Sequence, residues 1–234
     1  MKLPTQTTSG VPPRLLGEDR AKSGRPTLRV VTTGDVDVVL FDLGGVLVDF
    51  GGVQRMRVLA DIDSDDVLWE RWLSCRWVRE FERGRCSPET FAAGVVEDWQ
   101  LALEPSAFLA EFRSWPVGPF PGASELVDST RAVVEVGCLS NTNVEQWERH
   151  ATQWPLVDRF THRFLSFELG MVKPDVELFH HVATLLGTSP TRVLFLDDNP
   201  ANVDAALQAG FRSIRVRGVS ETRDALAEAG ILVP

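Results

Sequence analysis

Apolar positions fall along this chain in two patterns. Val38 to Phe41 form an unbroken apolar run, the mark of a strand buried on both faces of a parallel sheet. From 51 to about 115 the spacing changes to three and four. Trp69, Trp72, Leu73, Trp77 and Phe81 predict one apolar helical face, ended by Gly84. Ser87-Pro88-Glu89 supplies a cap residue, a first-turn proline and a first-turn acid for a second helix, continued by Phe91, Val95, Val96 and Trp99. Pro105-Ser106 opens a third, with Phe108, Leu109 and Phe112 apolar. Pro116 to Gly122 reads as a hinge or linker.

Beyond Gly122, strands and helices alternate. Strands are predicted at 132–139, 164–167, 193–196 and 214–216, and helices at 123–130, 144–151, 175–186, 199–210 and 220–229. Pro174 suits the start of the 175–186 helix and Gly187 its end. Such alternation predicts an α/β fold with a doubly wound parallel sheet, interrupted after its first core strand by a helical insertion. The expected division is a core of 36–50 and 118–234, an insertion of 51–117, and a flexible tail of 1–35 rich in Pro, Thr, Ser, Gly and Arg. Leu28 to Val31 is a candidate edge strand within that tail.

Composition narrows the function classes. At 234 residues the chain can bury a substantial core, and its net charge of -9 argues against nucleic acid or an anionic membrane as the main partner. No run of eighteen apolar residues or signal-peptide pattern is present. Cys75, Cys86 and Cys138 lack metal-ligand spacing and are expected to be reduced thiols of a cytoplasmic protein. Five of the seven tryptophans lie in the helical insertion, where packing is the expectation and substrate stacking the competing role. His180-His181 faces two directions on its helix, one residue expected buried and one exposed; His150 and His162 belong to no motif.

The candidate chemistry lies where strands end. Asp42, Ser140-Asn141 and Asp197-Asp198 each follow an apolar run, and a parallel sheet brings such termini to one edge. Lys173 precedes a helix in the same half. Paired carboxylates without thiolate or imidazole suit a hard cation such as Mg²⁺, and an ammonium with backbone N–H donors suits a phosphate. Together they suit phosphoryl transfer.

Phe41-Asp42-Leu43-Gly44-Gly45-Val46-Leu47, Leu139-Ser140-Asn141, Val172-Lys173-Pro174 and Leu196-Asp197-Asp198-Asn199 resemble, in order, the four motifs of the haloacid dehalogenase-like superfamily. The insertion is similar to the small helical cap of one subclass, and Phe81-Glu82-Arg83-Gly84 resembles a cap segment of its glucose-1-phosphatase-like members. The resemblance implies a Mg²⁺-dependent phosphatase of a small phosphorylated metabolite. Asp42 would attack phosphorus and form an aspartyl-phosphate. Asp42, the Gly44 carbonyl and Asp198 would hold Mg²⁺, with Asp197 and Asn202 as further ligands or supports. Ser140, Asn141 and Lys173 would bind the phosphoryl oxygens.

One departure stands out. Most phosphatases of this superfamily carry an acid/base aspartate two residues after the nucleophile, where this chain has Gly44. Either the leaving group needs little protonation, or the cap supplies the group, with Glu82 and Asp49 the candidates, or the chain binds phosphorylated ligands or a protein partner without turnover. Carbon–halogen hydrolysis by the same aspartate and phosphomutase chemistry stay open as well. Oligomeric state and substrate identity are left open at this level.

Overall fold

The computed structural model describes residues 35–233. The tail expected at 1–35 and the strand candidate at 28–31 fall outside the described residues, Asp35 excepted. The chain enters through β1 (Val38–Phe41), all four residues buried. A tight loop follows, in which Gly45 N–H donates to Val48 O and Val48 N–H to Leu43 O. It delivers the short strand β2 (Val48–Phe50).

Five helices come next: α1 (Gly52–Ala60), α2 (Asp65–Ser74), α3 (Arg76–Glu82), α4 (Pro88–Trp99) and α5 (Pro105–Arg113). The single helix expected through Trp69 to Phe81 is two, divided at Cys75, whose extended backbone (φ -65°, ψ 121°) ends α2 and starts α3. No Gly or Pro marks this break; packing makes it. Trp72 points into an aromatic cluster with Phe91, Trp99, Phe112 and Trp115. Trp77 instead lies over Gly94 of α4, so close that a Cβ there would sit 2.2 Å from the indole. Ser87 caps α4 as its sequence predicts, its Oγ accepting from Thr90 N–H at 3.2 Å.

The expected hinge at 116–122 is instead largely β3 (Pro116–Pro119), paired antiparallel with β2. Its prolines mask it as a strand, because proline is tolerated only where no ladder donor is required, as in this two-stranded ribbon.

The remainder alternates: α6 (Ala123–Arg131), β4 (Glu135–Ser140), α7 (Val144–Gln153), β5 (His162–Leu165), α8 (Ser166–Leu169), α9 (Val176–Leu186), β6 (Val193–Asp197), α10 (Pro200–Gln208), β7 (Arg212–Arg215) and α11 (Gly218–Glu228). The sheet order is β5-β4-β1-β6-β7 with every pairing parallel, a doubly wound α/β core with β1 at its centre. Pro174 does not open α9; Asp175 precedes the first helical residue and the Lys173–Pro174 bond is cis.

One apolar cluster, including Val39, Phe41 and Leu196, fills one side of the sheet, and another, including Leu40, Phe179 and Phe195, fills the other. The five helices share a third cluster around Phe91 and Phe112. Cys75, Cys86 and Cys138 are free thiols. Among the described residues no helix is long and apolar enough to cross a membrane.

Candidate active site

Asp42 leaves the end of β1 with its N–H donating to Leu196 O at 2.8 Å, which extends the β1–β6 ladder and fixes the residue at the sheet edge. Ser140 ends β4 and Asp197 ends β6, so the three termini converge as the strand pattern predicts.

Lys173 joins them. Its Nζ donates to Asp42 Oδ1 at 2.7 Å, Asp197 Oδ2 at 2.7 Å and Leu139 O at 3.0 Å. Those three acceptors match the three ammonium protons of a side chain that is only 2% exposed. Burial opposes its charge, but Asp197 and Asp42 outweigh burial and hold its pKa above the ordinary lysine value.

Asp197 is wholly buried and fully engaged. Asn199 N–H and Asn202 Nδ2 donate to its Oδ1, and Asn202 Nδ2 also reaches Oδ2 at 3.1 Å. Asp198 lies closer to the cavity. Gly45, at φ +72°, lets the loop pass against it, for a Cβ there would fall 2.5 Å from Asp198 Oδ2. Carboxylate oxygens of Asp42, Asp197 and Asp198 lie within 4.8 Å of one another. Burial, then repulsion from neighbouring carboxylates, pushes Asp42 well above the usual range despite Lys173. Burial and Asp197 raise Asp198 to about 6.

Asp42, Ser140, Lys173 and Asp198 line one cavity of about 130 Å³ between core and helical insertion, with Asp197 buried behind them. Glu82, the last residue of α3, reaches it. Asn141 Nδ2 donates to Glu82 Oε2 at 3.1 Å and to Lys173 O at 3.0 Å, while Lys173 N–H donates to Asn141 Oδ1. Asn141 thus ties the insertion to the Lys173 loop through its side chain. Burial lifts Glu82 to about 7, against the lowering influence of Lys173 and Arg79. The helix carrying it is held to the core by Arg79 Nη2, which donates to both Asp175 oxygens at 2.7 Å, and by Arg83 Nη2 at 2.8 Å. A second fork, Arg113 to Glu145, holds α5 to α7. Asp49, the other acid/base candidate, is exposed on the ribbon and does not line the cavity.

Residues 36–210 match the haloacid dehalogenase-like hydrolase family. The chain belongs to this family. A curated relative of the hydrolase, the D-ribitol-5-phosphate phosphatase of Bacteroides thetaiotaomicron, is 27% identical over 80% of this chain and 95% of that one. The sesquiterpene phosphatase astK of Aspergillus oryzae is 29% identical over 73% and 85%. A family enzyme of B. thetaiotaomicron solved with magnesium and inorganic phosphate superposes with a TM-score of 0.61 at 25% identity, covering 78% of this chain and 94% of that one.

The cavity is also lined by residues to which no motif points. Trp69 and Trp72 line the cavity as well as packing in the helical core, where packing is the expectation. His180 is exposed and His181 half-buried, so neither is the buried member of the pair. His150, by contrast, is buried on the cavity wall. Its signal is spacing: Thr142, Gln146 and His150 recur every four residues. Burial, and then Arg149, lowers His150 to about 4. Between that value and its ordinary 6.5 the unfolded chain binds the proton that the folded one refuses. Stability present above pH 6.5 is therefore expected to fall on the order of 2 kcal/mol as pH drops towards 4. Urea titrations of wild type and His150→Phe across this range check it, the variant being expected to lose less.

Proposed function

We propose that this hydrolase is a Mg²⁺-dependent phosphatase of a small phosphorylated metabolite, acting through an aspartyl-phosphate on Asp42. The observation that carries the reading is the meeting of Asp42, Lys173, Asp197 and Asp198 at one edge of the sheet beside a cavity. Relatives named as phosphatases of a polyol phosphate and of a sesquiterpene support it.

The donor set fits a hard cation. Three clustered carboxylates share the Lys173 ammonium, two of them are raised by burial and then by their neighbouring carboxylates, and Asn202 Oδ1 is buried without a partner. Asp42, the Gly44 carbonyl and Asp198 would hold the ion. Asp197, with both oxygens engaged, serves better as the anchor of Lys173 and Asn202 than as a ligand. When bound, Mg²⁺ neutralises phosphoryl charge and acts as a Lewis acid.

The chain's own groups do the rest. A carboxylate oxygen of Asp42 bonds to phosphorus as the ester P–O bond breaks. Ser140, the Asn141 N–H and the Lys173 ammonium receive the phosphoryl oxygens, Lys173 by sharing the proton now given to Asp42. Glu82, held near neutrality, donates a proton to the leaving oxygen. As a carboxylate it then takes one from the water that releases inorganic phosphate and regenerates Asp42. Glu82 thereby fills the role left vacant at Gly44.

Phosphate release from phenyl phosphate and sugar phosphates, with and without chelator, is the test. Chelation is expected to lower the rate about 100-fold or more, with full recovery on adding Mg²⁺. Turnover indifferent to chelation sinks the reading. Metal-free halide release from a short 2-haloacid would instead establish a dehalogenase.

A further inference from the structure

Five of the eight buried side-chain polar atoms without a hydrogen-bond partner among the described residues belong to this one cavity. They are Thr142 Oγ1, Gln146 Nε2, both ring nitrogens of His150, and Asn202 Oδ1. Buried polar groups are rarely left unpaired, because each one costs its desolvation. Asn202 sits beside Asp197 and belongs to the carboxylate cluster. The other four atoms lie apart from it.

Gln146 and His150, four apart, share one face of α7, and Thr142 lies just before the cap residue Asn143; all three line the cavity. The strip is held firmly. Thr142 N–H donates to Ser166 Oγ, which donates back to Thr142 O, both at 2.9 Å. Asn143 Oδ1 caps the helix by accepting from Gln146 N–H at 3.1 Å. The His150 ring is packed against Trp154, with centroids 4.7 Å apart. The backbone and rings are thus fixed while the polar atoms wait for partners.

The chemistry of the strip selects its ligand. A hydroxyl, an amide and a neutral imidazole offer donors and acceptors together and no charge. Among the described residues the one cation lining the cavity is Lys173, whose three protons are already placed. A second phosphate or a carboxylate on the leaving group would find no counter-charge. Hydroxyl groups, each donor and acceptor at once, match all four atoms. Trp69, Leu73 and Phe112, also in the lining, offer apolar surface to a carbon skeleton.

We propose that Thr142, just before α7, together with Gln146 and His150 on α7 forms a subsite for hydroxyl groups of the leaving group. The substrate class is then the monophosphate of a small neutral polyol or sugar. The inference rests on the phosphatase reading above and deepens it.

The test compares kcat/KM for hexitol and pentitol phosphates, n-hexyl phosphate and phenyl phosphate. In the wild type a hydroxylated ester is expected to exceed n-hexyl phosphate by tenfold or more. Gln146→Leu, His150→Phe and Thr142→Val are each expected to shrink the hydroxylated-to-phenyl ratio tenfold or more, mainly through KM. Three variants guard against one failing to fold. Equal or better turnover of n-hexyl phosphate by the wild type overturns the subsite, as does an equal fall for all esters in the variants. Either result leaves the phosphatase reading standing if phenyl phosphate is hydrolysed. If no ester is hydrolysed, that reading fails, and the subsite is judged by tryptophan fluorescence. Asp42→Asn protein titrated with hexitol and n-hexyl phosphates must then bind the former at least tenfold more tightly, and equal binding overturns the proposal.

Discussion

Asp42→Asn is expected to lower phosphate release by about 10⁴-fold or more while leaving the fold in place. An amide keeps the shape of the side chain but has no anionic oxygen to bond to phosphorus. Loss of the negative charge also removes the burial cost, and then the crowding with Asp197 and Asp198, that together raise the Asp42 carboxyl. Lys173 keeps its contacts to Asp197 and Leu139. The melting temperature should therefore stay within a few degrees of wild type, separating loss of chemistry from loss of structure. Lys173→Met makes the contrast. It leaves Asp197, wholly buried, without its cation, and breaking such a pair costs about 3–5 kcal/mol. That variant should lose activity and stability together. Phosphate release and thermal denaturation measured on both proteins decide the matter. Activity retained by Asp42→Asn would remove the aspartate from the mechanism.

Most of the chemistry at the sheet edge is legible in the sequence because a buried parallel strand writes itself as an apolar run, and Asp42, Ser140 and Asp197 each end one. Parallel topology then requires the ends to meet. The helical insertion is legible as a region but not in detail. Nothing local marks the break at Cys75, which exists because Trp72 and Trp77 find different partners. The β2–β3 ribbon is hidden by Pro116 and Pro119, which read as punctuation until their pairing is seen. His150 escapes a reading by motif because it belongs to none. What sets it apart is its unpaired ring nitrogens, and pairing is a property of the folded chain alone.

Glu82→Gln is expected to lower kcat/KM for alkyl phosphates by about 10²–10³-fold, and for phenyl phosphate by much less, since phenoxide leaves with little protonation. The pH profile supplies the sign. Glu82 must be protonated to donate, and burial holds its carboxyl near 7. For alkyl esters the rate of the first step should fall as pH rises through about 7, whereas release of phosphate from Asp42 needs the carboxylate and should rise over the same interval. Glutamine at 82 abolishes both dependences. The position of Glu82 depends on Arg79 and Arg83 gripping Asp175, so Asp175→Asn should weaken the alkyl ester more than the aryl one. Gly44 offers the complementary test. A Cβ there would meet Phe50 at 3.8 Å, an ordinary contact, so a side chain is admissible at that turn. Gly44→Asp placed in the Glu82→Gln protein should recover part of the alkyl ester rate, because it returns a carboxyl beside Asp42. If the glutamine variant keeps the wild-type pH profile, the proton comes from elsewhere and Glu82 serves only to join α3 to Asn141.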